Sequence, residues 1–355
     1  MNPFIRLAAP ALVLSIPMAA HAAPEFYGRV NVSLDHLSDY PDSSLSGSLN
    51  DLDANESPLA RGWFLESNSS RLGVRGREPL DVADLSVIYQ LEVGYDVDGD
   101  GDTFSTRNSF VGLGTRFGDV FAGRYDSPVK VAEGDVDQFN NTAADIGAYF
   151  FGQRRNSNTV NWKSPRWGDV IVRAQIAPGE DDQVGDEEKD GLADTYGLSA
   201  TWDGDAVFAA VAYQRSYLEV DSPVPPPVTV AADLDLLRGT LGVALGELEL
   251  GAMVEQVRID PDVSGSDRAD GTSYMVSAGW QLLPRVKLKA QAGRFDSSDL
   301  DYESDILAAG ADYKLGKQTT LYGLVSGSDV DYTYANGSGD DDSGSLFSVG
   351  MQHKF

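Results

Sequence analysis

The segment Phe347-Ser348-Val349-Gly350-Met351-Gln352-His353-Lys354-Phe355 decides the fold. Phe347, Val349, Met351 and Phe355 share one parity, with His353 the single interruption, while Ser348, Gly350, Gln352 and Lys354 share the other. Successive side chains of a strand point to opposite faces, so this is a strand with one oily and one wet face. The last residues of a domain usually fray unless something ties them down. A strand carried through to Phe355 therefore predicts that another strand closes against it, as in a barrel, which has no edges.

The same alternation returns along the chain. Phe26, Val30, Val32 and Leu34 oppose Arg29, Asn31, Ser33 and Asp35. Leu85, Val87, Tyr89, Leu91, Val93, Tyr95 and Val97 oppose Ser86, Gln90, Glu92 and Asp96, with Ile88 and Gly94 as exceptions. Sixteen such segments are read, from 25–37 and 63–76 at the start to 318–330 and 344–355 at the end. The segment 104–117 alternates poorly, diluted by Gly112 and Gly114. Connections come in two kinds that take turns. Short ones include Phe117-Gly118-Asp119, Asp203-Gly204-Asp205 and Leu315-Gly316-Lys317, and long acidic ones include Ser38 to Gly62 and Pro178 to Asp194. Aromatic residues such as Tyr95, Trp202, Trp280 and Tyr313 sit on the apolar parity near strand ends, where interfacial girdles place them. This is the plan of an outer-membrane barrel. A soluble β-sandwich also alternates, but it has no need to segregate short and long loops.

The first 22 residues are set apart from the fold. Arg6, the apolar stretch Leu7 to Met18 and Ala20-His21-Ala22 predict a cleaved signal peptide over 1–22, leaving a single barrel domain over 23–355. Absence of cysteine means that an exported protein takes its stability from extensive backbone pairing or a large core rather than from disulfides. The net charge of −28 excludes nucleic acid as a partner, because phosphate binding needs a basic surface. Mean hydropathy of −0.25 does not argue against a membrane barrel, since half of each strand faces water.

With these features in order, the chain resembles the general diffusion porins of Gram-negative bacteria over essentially its whole mature length. The resemblance is carried by Glu25-Phe26-Tyr27-Gly28-Arg29-Val30, Ser70-Arg71-Leu72-Gly73-Val74-Arg75-Gly76 and Thr106-Arg107. It continues through Phe117-Gly118-Asp119-Val120-Phe121-Ala122-Gly123-Arg124, a long third loop and the terminal Phe355. It implies an all-β fold, a 16-stranded antiparallel transmembrane β-barrel with short periplasmic turns and long external loops. The third loop would fold into the pore, the assembly would be a homotrimer in outer-membrane lipid, and Phe355 would be the signal read by the barrel-assembly machinery. Function would be passive diffusion of small hydrophilic solutes and ions. A solute-specific channel or a barrel-borne adhesin is the alternative on the same scaffold.

The third loop, 126–152, carries Asp126, Glu133, Asp135, Asp137 and Asp145 against Lys130, and ends in Tyr149-Phe150-Phe151. A loop of this length is commonly functional. Glu133, Asp135, Asp137 and Asp145 are the expected acidic side of a constriction. Arg29, Arg71 and Arg75 lie on the lumen parity of their strands and Arg155 shares parity with Ser157, Thr159, Asn161 and Lys163. Either Arg154 or Arg155 matches the family's arginine after the loop, with Arg155 preferred, and Arg107 rests on the resemblance of Thr106-Arg107. Together they are the expected basic wall. The acidic surplus in the external loops predicts enrichment of cations at the mouth and a weak to moderate cation preference of the channel. Asp96, Asp98, Asp100 and Asp102 resemble the start of an EF-hand, but Arg107 stands at position twelve and strands flank it, so at most a loose Ca²⁺ or Mg²⁺ site is expected, and no other cofactor. Catalysis is not expected. Of three histidines one leaves with the leader, and no serine stands in a nucleophile context.

Overall fold

A computed structural model of the chain describes residues 23–41, 59–82, 84–99, 103–180, 182–184, 187–221, 229–262, 267–333 and 339–355. The expected signal peptide, 1–22, lies outside them. Strands run as β1 (Glu25–Pro41), β2 (Leu59–Ser67, resumed as Arg71–Pro79), β3 (Ser86–Tyr95), β4 (Phe104–Thr115), β5 (Gly118–Asp126) and β6 (Arg155–Lys163). They continue as β7 (Val170–Ala177), β8 (Thr195–Asp203), β9 (Val207–Asp221), β10 (Thr229–Leu245) and β11 (Leu248–Pro261). The last are β12 (Ala269–Leu283), β13 (Val286–Ser297), β14 (Tyr302–Lys314), β15 (Thr319–Thr333) and β16 (Gly339–Lys354). Each strand is antiparallel to the next and β16 returns to β1, so sixteen strands close into one barrel. A small hairpin, Asp182–Val184 with Glu187–Lys189, stands in the loop after β7.

Both halves of β2 pair with β1, with Ser67 opposite Val32 and Arg71 opposite Arg29. Three residues, Asn68-Ser69-Ser70, thus oppose two, and Ser69 takes a left-handed φ of 55°. One extra residue is a β-bulge, which flips the parity of everything beyond it. Leu65 and Leu72 consequently both face outward, 53% and 45% exposed, although one is odd and the other even. A second bulge explains the poor alternation of 104–117 better than glycine content does. Leu91 pairs with Ser109 but Val93 with Thr106, so β4 gains a residue at Arg107-Asn108. Arg107 faces inward, and beyond the bulge Val111 and Leu113 face out.

The seam is made by both ends of the described chain. Gly28 N–H donates to the Phe355 carbonyl at 2.9 Å, and Phe355 N–H donates to the Gly28 carbonyl at 3.1 Å. Pairing then runs from Arg29 opposite Lys354 to Ser38 opposite Ser345. The Phe355 ring lies over Gly28, where an added Cβ would come within 2.4 Å of it. Phe347, Val349, Met351 and Phe355 all face outward, whereas Ser348 is fully buried within.

Outward apolar residues form a band rather than a whole face. On β10, Leu237, Leu241 and Leu245 are exposed, but nearer the external end Leu234 and Leu236 turn inward and are buried. Asp233 and Asp235 occupy the outward positions there, bound by Arg215 at 2.5 and 3.3 Å. The inversion marks where the strand leaves hydrocarbon, in which an outward charge is destabilising, by about 2–4 kcal/mol for Arg or Lys at the midplane and by less for a carboxylate. It also supplies an apolar inner wall.

Removal of Phe355 deletes two ladder hydrogen bonds and the ring over Gly28. Its loss is expected to reduce the yield of folded, heat-modifiable barrel severalfold, while channels that do insert keep wild-type conductance. Normal yield on gels with altered conductance would show the reverse assignment.

Candidate functional site: a loop clasped across the lumen

Residues 127–154 enter the barrel instead of capping it. Ser127 Oγ accepts the Lys130 N–H at 3.0 Å and N-caps a short helix, α1 (Pro128–Val131), with proline in its first turn. Asp145 Oδ1 accepts Gly147 N–H at 2.8 Å and caps a 3₁₀ turn, Ile146–Ala148, while its Oδ2 accepts Asn141 N–H at 2.6 Å. A loop without strand periodicity is therefore still locally determined by its caps.

One ion pair grips both ends of this loop. Arg238 on β10 and Glu255 on β11 are directly opposite, both fully buried, with Nη2 to Oε2 at 2.6 Å. Arg238 Nη1 donates to the Val129 carbonyl at 3.1 Å, and Glu255 Oε1 accepts Gly152 N–H at 3.0 Å. Position 152 has no room for a side chain, since a Cβ would lie 2.5 Å from Glu255 Oε2 and 2.7 Å from Arg238 Nη2. Beyond the clasp, Ser277 Oγ donates to the Val136 carbonyl at 2.5 Å and Gln291 Oε1 accepts Gln138 N–H at 3.0 Å. The tip reaches β1, where Arg29 Nη2 donates to Asn141 Oδ1 at 2.7 Å and Asn31 Nδ2 to the Asn141 carbonyl at 2.8 Å. Phe139, Ile146, Tyr149, Phe150 and Phe151 are at most 1% exposed against the inverted wall of Leu234, Leu236, Met253, Met275 and Phe295. Each such side chain contributes about 1.5–3 kcal/mol on full burial.

The loop's acidic residues divide. Glu133 is buried, its Oε1 accepting from Asn140 Nδ2 at 2.7 Å, and Asp137 is buried with Oδ1 accepting Phe139 N–H at 2.8 Å. Glu133 is turned into the loop, whereas Asp137, though buried, borders the cavity beside Arg29 and Arg71. Burial, with Asp145 nearby, pushes the Glu133 carboxyl up to about 7 against the pull of Arg238. Burial also raises Asp137, with Asp145 and Glu133 adding to it. Only Asp135 is exposed, and Asp145 is half-buried. Lys130 is lowered by burial and by Arg155.

On the opposite wall, Arg107 Nε lies 2.6 Å from Glu92 Oε1 and Arg71 Nε 3.6 Å from Glu92 Oε2. Tyr27 OH donates to Glu92 Oε2 at 2.9 Å. Arg29 stands in the field of Arg71 and Arg107. Arg155 pairs with Asp126 at 2.9 Å and feels Arg107 and Arg71. Its inward placement does not follow from parity with Thr159, because β6 carries its own bulge: Gly123 pairs with Thr159 but Tyr125 with Asn156, and Asn158 sits at φ 55°. Arg75 stands apart, four residues along β2 toward the turn, in a bidentate pair with Glu25 at 2.9 and 2.8 Å. A cavity of about 430 Å³ is lined by Arg29 and Arg71, by Asp135, Asp137 and Gln138 of the loop, and by Lys289 and Asp312 of β13 and β14. Glu92, Tyr27, Arg238 and Glu255 were not singled out from the sequence. The available signal was a lone Arg238 and a lone Glu255 on the lumen side of otherwise apolar stretches. Asp96 and Asp98 follow β3, and Asp100 and Asp102 lie outside the described residues; no metal-ligating cluster forms among the described residues.

Glu255→Ala would leave Arg238 buried without its partner and free Gly152, a change that costs about 3–5 kcal/mol in buried pairs. The expected result in planar bilayers is a larger, noisier single-channel conductance from a barrel that remains folded on gels. Unchanged conductance would mean that other contacts hold the loop.

The sequence profile of the Gram-negative porins matches residues 8–333. The major outer membrane protein P.IB of Neisseria gonorrhoeae is 26% identical over 338 residues, covering 89% of this chain and 91% of that one. Its counterpart from Neisseria sicca is 24% identical, covering 97% of this chain and 98% of its own. Among solved structures, an anion-selective porin from Comamonas acidovorans superposes with a TM-score of 0.74 at 20% identity, covering 94% of this chain and 99% of that one. OmpF of Salmonella typhi gives 0.63 at 15% identity, covering 94% and 97%. An edge-free sixteen-stranded barrel with an inward loop, matched along nearly its whole length by this profile, belongs to the Gram-negative porin family of outer-membrane channels.

Proposed function

We propose that small hydrophilic solutes cross this outer-membrane porin at one waist, between the third loop and the Arg29, Arg71, Arg107 and Arg155 wall. The observation that carries the reading is the hold of Arg29 and Asn31 on Asn141, which stretches the loop across the lumen. Asp135 and Asp145 on one side and the guanidinium groups on the other set a transverse field, within which polar solutes align and apolar ones must displace bound water. Two unit charges ~10 Å apart interact by about 1.7 kcal/mol at an effective dielectric of 20, so the field acts only where the passage is narrow. A homotrimer is part of this reading, supported by fold likeness to OmpT of Vibrio cholerae, which is described in a trimer form. Chemical cross-linking of the unheated protein tests it.

Selectivity follows from two opposed regions. The acidic external loops favour cations at the mouth, but with Glu133 and Asp137 buried the loop sets only Asp135 and Asp145 against the four guanidinium groups of the wall, which weakens the cation preference at the waist. Anion selectivity of the Comamonas acidovorans porin supports the second influence. Salt distinguishes them, because the Debye length falls from about 10 Å at 0.1 M to about 3 Å at 1 M, screening the wide mouth before the narrow waist. Reversal potentials in KCl gradients are expected to move toward anions as mean salt rises, and Arg71→Ser with Arg107→Ser should move them back toward cations. Failure of the double variant to shift the potential removes the waist from selectivity.

pH adds a second handle. With its carboxyl near 7, Glu133 is protonated below that pH and ionised above it. The folded loop favours the protonated form, so its docking is firmest at low pH and weakens as pH rises through about 7. From pH 6 to 8 cation preference should rise, and Glu133→Gln should flatten that dependence.

A further inference from the structure

We propose that the lumen wall of β4 to β7, on the turn side of Arg155, is a binding subsite for aromatic carboxylates in transit; the inference rests on the waist reading above. Three rings, Phe110, Phe121 and Tyr125, meet there. Phe110 and Phe121 are 4.4 Å apart between centroids, Tyr125 meets Phe121 edge-on at 4.9 Å and Phe110 at 5.4 Å. They face inward: Phe121 pairs with Asn161, which is buried in the lumen network, and Phe110 with Gln90, whose amide donates to Tyr27 OH. A porin lumen is otherwise polar, and this cluster is separate from the apolar wall that seats the loop, which lies on β9 to β16.

Next to the rings are two cations that form no direct ion pair with a described carboxylate, although Asp119 lies within electrostatic reach of Lys163 and Asp203 within that of Arg173. Lys163 and Arg173 are directly opposite across β6 and β7. Like charges so placed repel and destabilise a sheet, yet neither forms an ion pair with a described residue. Asp119, opposite Lys163, is held by Arg77 at 2.7 Å. Arg173 has a long hydrogen bond to Thr201 Oγ1, 3.4 Å, and lies within electrostatic reach of Tyr125. An anion between Lys163 and Arg173 would relieve their repulsion with charge-assisted hydrogen bonds, and a ring attached to it would stack on the half-buried Phe110 and Tyr125. Aliphatic carboxylates lack the ring, neutral aromatics lack the charge, and aromatic cations are repelled.

The test is KCl current through the purified protein in planar bilayers, with sodium benzoate or sodium acetate added on the side of the short turns. Benzoate is expected to reduce the current saturably, at concentrations about tenfold below those at which acetate does. Lys163→Gln with Arg173→Gln should erase that difference, Phe110→Leu should narrow it, and Lys163→Arg with Arg173→Lys should keep it. Equal effects of benzoate and acetate on the wild type, or benzoate reduction surviving in the double glutamine variant, would overturn the proposal. Absence of KCl conductance in the wild type would count against the channel reading instead, so the two failures are distinguishable.

Discussion

A strand in hydrocarbon has no water to satisfy its backbone, so every N–H and C=O must find a partner in the sheet. Closure between β1 and β16 meets that constraint, and the rest of the molecule follows from it. It fixes which parity faces lipid, and hence why Phe26, Val30, Leu34, Phe347, Val349 and Met351 are exposed while Arg29, Ser33, Asp35 and Ser348 are buried. It also explains the reciprocal hydrogen bonds of Gly28 and Phe355, and why the residue under the Phe355 ring has no side chain.

Inside the closed sheet the wall is not uniform. From β9 to β16 the outer portion turns Leu234, Leu236, Val257, Ile259, Ile306 and Val330 inward and sends acidic residues outward. The loop uses that wall as its core, and the Arg238–Glu255 pair at the base fixes where it enters and leaves. A buried ion pair often gives little net stability over an apolar replacement. Here its groups are completed by loop backbone, so the pair determines position more than overall stability. The space left to water and to solutes beside the loop is bordered by Arg29 and Arg71 of β1 and β2 and also by Lys289 and Asp312 of β13 and β14.

Much of this was legible as periodicity. Sixteen segments, the seam residue Phe355, the alternation of short and long connections and the inward face of Arg29 and Arg71 all rest on a period of two, which a strand imposes locally. Legibility stopped wherever one residue was inserted. Bulges at Ser69, at Arg107-Asn108 and at Asn158 each reverse parity, so the poor pattern of 104–117 reflects an inserted residue more than its glycines, and parity counted from Thr159 does not extend across the bulge to Arg155. The loop's carboxylates looked equivalent in sequence, because Glu133 and Asp137 differ from Asp135 only in what the folded loop brings to them, Asn140 and the Phe139 N–H.

The sequence by itself determined the barrel, because lipid on one side and water on the other write a two-residue period that needs no knowledge of distant contacts. The charge of the external loops and the presence of a long, aromatic-ended third loop were equally plain. Only the tertiary structure decided which charges share a height, which carboxylates meet water, and that Arg238 and Glu255 clasp Val129 and Gly152. These depend on strand register and tilt around the barrel, which bring together residues more than a hundred positions apart and leave no local trace in the chain.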